Sequence, residues 1–263
     1  MTQSANQVLL IEDSNVQAKI IQKQILALSN FETIICHTME EAREALEASH
    51  RFFVAVVDLN LPDAPDGEVV DLTLENGVPT VVLTATFNEE LRQQFIHKRV
   101  ADYFFKGSIR DMDPMVRSLE RLYKNRHMTV LVVDDGVVDR GMMRRGLEVQ
   151  QFQVLEAENG AQAMQILAEH PEVQLIITDF NMPEMDGCEL VMAVREHHKM
   201  DQLPIIGVSA AGSGPLTARF LKNGANDFLT KPFEVEEFSW RVNQCMEMVD
   251  VIAELKNCYE NLG

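Results

Sequence analysis

Short runs of apolar, often β-branched residues alternate along the whole chain with stretches whose apolar positions recur every three or four residues. In the first half the runs predict strands over Val8–Glu12, Glu32–Cys36, Phe53–Asp58, Thr80–Thr84 and Asp102–Phe105. Between them Val16, Ile20, Ile21, Ile25 and Leu28 keep helical spacing, as do Ala42, Ala45 and Leu46. The second half predicts strands over Thr129–Val133, Gln153–Glu156, Leu175–Asp179, Pro204–Ser209 and Asp227–Thr230, again with helical segments between. Five βα units in each half predict a doubly wound α/β architecture, a parallel sheet covered on both faces. Open sheets of this kind bind ligands at the carboxyl ends of their strands, beside the point where strand order reverses.

The halves repeat one another. Val8-Leu-Leu-Ile-Glu-Asp13 matches Val130-Leu-Val-Val-Asp-Asp135, Val54–Asp58 matches Leu175–Asp179, Val81–Thr84 matches Ile206–Ser209, and Ala101–Lys106 matches Ala225–Lys231 with one residue allowed. Four landmarks in one order at nearly one offset mark the duplication of a whole domain. The expected domains are 1–125 and 126–247, with a helical extension over 248–263. From Glu234 to about Asn261 the helical pattern is unbroken, and Phe238, Val242, Cys245, Val249 and Ile252 follow the 4-3-4-3 spacing of a coiled-coil seam. Beyond residue 247 such a helix would extend roughly 20–25 Å toward an output domain that this sequence does not contain.

Composition narrows the functions. A chain of 263 residues accommodates two domains, and 46% hydrophobic with 24% charged residues are globular proportions. No run of about 18 apolar residues occurs, and Met1–Gln7 lacks a secretory pattern, so the expectation is a cytoplasmic protein away from membranes. Cys36, Cys188, Cys245 and Cys258 form no C-x-x-C pair and read as reduced thiols. A net charge of −18 would repel a polyanion, which argues against nucleic-acid binding. Gly212-Ser-Gly214-Pro215 lacks the third glycine and the lysine of a phosphate-binding loop, so no nucleotide is expected there.

The candidate chemistry lies at the strand ends. Glu12 and Asp13 close the first strand, Asp58 the third and Thr84 the fourth, and Lys106 follows the fifth; Asp134, Asp135, Asp179, Ser209 and Lys231 repeat the set. One acid in such a place reads as a helix cap. Three acids, a hydroxyl and a lysine converging twice do not. Crowded carboxylates repel unless a cation lies between them, and oxygen-only donors with open positions suit Mg²⁺. A central carboxylate can attack phosphorus, while the lysine and the hydroxyl meet the phosphoryl oxygens.

Both halves resemble receiver domains of the chemotaxis-regulator type, over residues 6–125 and 128–247. The resemblance rests on Val132-Val-Asp-Asp135, Asp179-Phe-Asn-Met-Pro-Glu-Met-Asp-Gly187, Val208-Ser-Ala210 and Lys231-Pro-Phe233, with their first-half counterparts. It implies two flavodoxin-like (βα)5 domains in tandem, phosphorylated on Asp179 and on Asp58 by a histidine kinase or phosphotransfer protein. It implies Mg²⁺ held by Asp135, Asp179 and the Asn181 backbone carbonyl, with Asp134 assisting; the first-half set is Glu12, Asp13, Asp58 and Asn60. Ser209 and Thr84 would move toward the phosphate, Lys231 and Lys106 would pair with it, and Phe228 and Tyr103 would rotate inward behind it. It further implies a phosphorylation-favoured homodimer in which Asp227 and Arg241 pair across the interface, and, by analogy, a diguanylate cyclase output. No G-G-D-E-F motif occurs in the chain.

The first half departs from the pattern. Asp58-Leu-Asn-Leu-Pro-Asp-Ala-Pro-Asp-Gly67 is one residue longer than its counterpart, the shorter Asp58-to-Thr84 interval predicts a shortened third helix, and Gly107 replaces the proline after the lysine. These features predict a looser and slower first receiver, with a non-phosphorylated scaffold as the alternative. Gly136 after the acid pair predicts a looser turn into the next helix. A phosphohydrolase would place an aspartate two residues beyond the nucleophile; Asn60 and Asn181 cannot serve as that acid/base.

Overall fold

The computed structural model describes residues 6–48, 52–86, 88–106, 112–210 and 214–260. Gly107 and Gly212 lie outside them. The chain divides into two compact units, Met1–Lys124 and Asn125–Gly263.

In the first unit, strands β1 (Gln7–Ile11), β2 (Glu32–Cys36), β3 (Phe52–Asp58), β4 (Thr80–Thr84) and β5 (Asp102–Phe105) alternate with helices α1 (Asn15–Leu28), α2 (Met39–Glu47), α3 (Glu68–Glu75), α4 (Glu89–Lys98) and α5 (Asp113–Asn125). The strands pair in parallel in the order β2-β1-β3-β4-β5. The second unit repeats this with β6 (Thr129–Val133), α6 (Val137–Val149), β7 (Gln153–Ala157), α7 (Gly160–Glu169), β8 (Val173–Asp179), α8 (Gly187–Arg195), β9 (Ile205–Ser209), α9 (Gly214–Lys222), β10 (Asp227–Thr230) and α10 (Val235–Glu260), and the order β7-β6-β8-β9-β10.

Strand alternation divides each core between the two sheet faces. Val8, Leu10, Val54, Val56, Val81 and Leu83 point toward α1 and α5, where Ile21, Ile25, Met115 and Leu119 cover them. Leu9, Ile11, Ala55, Val57 and Val82 point toward α2, α3 and α4, onto Ala42, Val69, Val70 and Phe95. Burial of both faces explains why the sequence of β3 is an unbroken apolar run ending in one aspartate.

Register places the polar strand ends at one level. Ile11 pairs with Val57, which sets Glu12 beside Asp58. Val133 pairs with Thr178, which sets Asp134 beside Asp179, and Thr230 pairs with Ser209 immediately before Lys231.

Two expectations change. The shorter interval in the first unit falls mainly in the connection after the helix, residues 76–79 against 196–204, because α3 and α8 are nearly equal in length. Val242 is buried with Phe238 and Met246 in the core of the second unit, and Cys245 packs against it. Over Phe238, Val242 and Cys245 the 4-3-4-3 pattern is thus the helix's own core face, while Val249 and Ile252 beyond it are half-buried. A different tail stripe is exposed: Met248, Val251, Leu255 and Tyr259. Lys256 pairs with Asp201 of the same unit.

Candidate functional site

In the first unit, Glu12 and Asp58 are buried at the carboxyl edge of the sheet while Asp13 is exposed. Lys106 Nζ lies 2.6 Å from Glu12 Oε2 and 2.7 Å from Asp58 Oδ2. Burial pushes the Glu12 pKa upward, against the opposing bond and charge of Lys106. Asp58 Oδ1 accepts from the Asn60 backbone N–H at 3.3 Å, and Glu12 Oε1 from that of Ser14 at 3.3 Å. Glu12, Asp13 and Asp58 each bring an oxygen within 4.8 Å of the others, a donor set that fits a hard divalent cation. The Thr84 hydroxyl donates to the Thr86 carbonyl at 2.7 Å. Tyr103, half-buried, lies against Phe95 with ring centres 5.4 Å apart.

The β3–α3 loop, expected to be loose, is pinned. Asp63 accepts from the Met39 and Glu40 backbone N–H groups at 2.9 and 3.1 Å, capping α2, and those bonds lower its pKa. Leu61 and Ala64 are buried and bridge each other. Asp63 does not stand out in the sequence, because an acid between two prolines looks like an ordinary turn residue.

In the second unit, Asp134, Asp179 and Ser209 are buried and Asp135 is exposed. Lys231 Nζ lies 2.6 Å from Asp134 Oδ2, 2.9 Å from Asp179 Oδ1 and 2.8 Å from Asp139 Oδ2. Burial opposes the charge on Lys231, but the three carboxylates outweigh it and its pKa is raised. Burial also raises the pKa of Asp179 despite the lysine. Asp134 Oδ1 accepts from Gly136 N–H at 2.8 Å and Asp179 Oδ2 from Asn181 N–H at 2.7 Å. Gly136 leaves α6 without a side-chain cap, yet its turn is held by Asp134. The Lys231–Pro232 peptide is cis. Phe228 is buried against Phe220, ring centres 5.7 Å apart.

Here the grouping of three acids within cation distance is found, among the described residues, in the first unit and not the second, although the sequence gives both units the same set of three acids. In both units the two buried acids each commit an oxygen to the lysine, Glu12 and Asp58 to Lys106, Asp134 and Asp179 to Lys231. Asp139 is the residue that sequence reading missed; an acid in a helix's first turn reads as a dipole partner.

The glycine after the loop aspartate serves each unit differently. Gly67 adopts φ +78°, whereas a Cβ on Gly187 would collide with the Asp179 carbonyl. Arg241 Nη1 lies 3.0 Å from Asp227 Oδ2 in the same chain, so the pair expected across a dimer is closed internally.

A profile of the response regulator receiver domain family matches residues 130–243. The two-component response regulator ORR5 of Oryza sativa subsp. japonica is 38% identical over 110 residues, covering 42% of this chain and 82% of the relative. A chemotaxis protein CheY homolog of Campylobacter jejuni is 41% identical over 107 residues, covering 40% and 82%. A solved structure of a two-component system response regulator/GGDEF domain protein is 39% identical with a TM-score of 0.85, covering 93% of this chain and 99% of that one. With two five-stranded parallel sheets and a lysine bonded to the strand-end aspartate in each, the chain belongs to the response regulator receiver family of two-component phosphorelay signalling.

Proposed function

We propose that Asp179 and Asp58 are phosphoryl acceptors, loaded by a histidine kinase or phosphotransfer protein. The observation that carries this reading is the contact of a half-buried lysine with the strand-end aspartate in both units, at 2.9 and 2.7 Å. The carboxylate oxygen forms a bond to phosphorus as the P–N bond to the donor's imidazole breaks, and the electron pair leaves with that nitrogen. Lys231 and Lys106 offset the charge on the aspartate beforehand and then face a phosphoryl oxygen. The Asn181 and Asn60 N–H groups hold one carboxylate oxygen each and fix its orientation. Ser209 and Thr84 supply hydroxyls at the adjoining strand ends.

Glu12, Asp13 and Asp58 would hold Mg²⁺ in the first unit, and Asp134, Asp135, Asp179 and the Asn181 carbonyl in the second. When bound, the ion supplies positive charge to the equatorial phosphoryl oxygens. Incubation with acetyl phosphate and Mg²⁺ should add up to two phosphoryl groups to the intact mass, and chelation should abolish the gain; a mass that never changes would contradict the reading.

The output is proposed by analogy with the GGDEF-containing relative: phosphorylation favours a homodimer that drives a diguanylate cyclase joined to α10. The exposed tail stripe of Met248, Val251, Leu255 and Tyr259 is the face for a second copy. Sedimentation with and without beryllofluoride should show a shift to dimer, and a monomer in both would remove this part.

A further inference from the structure

An ammonium group has three hydrogens, and all three on Lys231 are engaged: by Asp134 at 2.6 Å, Asp139 at 2.8 Å and Asp179 at 2.9 Å. Asp139 stands four residues beyond Asp135, in the first turn of α6. Four residues beyond Asp13, in the first turn of α1, the first unit has Gln17. Its Oε1 is buried with no hydrogen-bond partner among the described residues, and Lys106 there bonds two carboxylates, Glu12 and Asp58. One helical position thus gives the second lysine an anchor that Gln17, among the described residues, does not give the first.

We propose that Asp139 is a positioning residue for Lys231 in phosphoryl transfer to Asp179, and that the Asp139/Gln17 difference sets the two receivers' rates apart. The proposal rests on the phosphoacceptor reading above. When the Asp179 carboxylate becomes an acyl phosphate its negative charge passes to the phosphoryl group, so the Lys231 hydrogen that faced Oδ1 turns to a phosphoryl oxygen. The other two hydrogens stay on Asp134 and Asp139. Held at two points, an ammonium on a flexible four-carbon stem presents its third hydrogen in one direction; held at one, it swivels.

Asp139 is itself well placed to hold. The Arg140 guanidinium donates to the Asp134 backbone carbonyl at 2.6 Å and Gly136 N–H to the Asp134 side chain at 2.8 Å, tying the first turn of α6 to the end of β6. The Asp139 side chain is 44% exposed, so solvent screens its charge and the contribution is chiefly directional. An asparagine, which keeps an acceptor oxygen at the same place, should therefore retain much of the function, and an alanine or glutamine should not.

The test uses the full chain carrying Asp58→Asn, so that uptake from acetyl phosphate reports on Asp179. Asp139→Ala and Asp139→Gln should slow uptake roughly three- to tenfold, the scale of one lost orienting hydrogen bond, with Asp139→Asn between them and the parent. Reciprocally, Gln17→Asp in an Asp179→Asn chain should speed uptake at Asp58. A second readout needs no phosphate: the ¹⁵N–¹H resonance of the Lys231 ammonium should be protected from exchange in the parent and lost in Asp139→Ala, which a merely structural role would not produce. Equal uptake in parent and Asp139→Ala, or Asp139→Asn as slow as Asp139→Ala, would overturn the proposal while leaving the phosphoacceptor reading intact. No uptake at Asp179 in the parent would overturn both.

Discussion

Burial and a lysine pull Asp179 in opposite directions, and burial prevails, leaving its pKa above the ordinary 3.8. An acid whose pKa rises on folding contributes stability that is present below the unfolded value and lost as pH rises through the folded one. In metal-free protein near pH 7 the Asp179 charge therefore costs stability, and the neutral isostere Asp179→Asn should raise the melting temperature of the second unit. That advantage should disappear as pH falls toward 3.8; thermal melts across pH 4–8 check it, and a lower melting point for Asp179→Asn at neutral pH would contradict it. Gly187→Ala should destabilise the second unit by about 1–3 kcal/mol, because its Cβ has only the Asp179 carbonyl and the Phe220 ring to move into. The strand-end acids and lysines were legible in sequence because an isolated polar residue ending an apolar run has few structural explanations. Asp139 was not, since its contact with Lys231 joins residues far apart in the chain and depends on how α6 leaves β6.

Helix α10 shows why a spacing pattern can be read correctly and its partner misassigned. Apolar residues at 4-3 spacing require cover, but the pattern does not say whether a second helix or the helix's own sheet provides it. Phe238, Val242 and Met246 lie in the core with Met143 and Leu147, so Phe238→Ala should cost about 3–5 kcal/mol in chemical denaturation. Leu255→Ala, on the exposed stripe, should leave stability unchanged and weaken self-association. The reverse result would restore the seam read from sequence. The strand positions, by contrast, were legible almost to the residue, because β-branched runs bounded by polar ends leave little choice of start and stop. Helix α8 begins with a capping box in which Asp186 and Glu189 satisfy each other's backbone N–H, and Asp186→Ala should cost about 1 kcal/mol.

At the scale of the molecule, duplication gives one chain two sites of the same kind whose differences lie in a few side chains: Glu12 for Asp134, Gln17 for Asp139, and a loop pinned by Asp63. With a net charge of −18, any divalent ion will screen repulsion generally, so Mg²⁺ stabilisation has to be compared with Na⁺ at matched ionic strength. Specific binding at a hundredfold excess over Kd should still add about 2.7 kcal/mol to the unit that binds. The central claim, that phosphate resides on the two strand-end aspartates, is tested most directly by borohydride trapping after phosphorylation, which converts an aspartyl phosphate to homoserine. Peptide mapping should find homoserine at positions 58 and 179; its absence from both, or its appearance at Asp13 or Asp135 instead, would contradict the account.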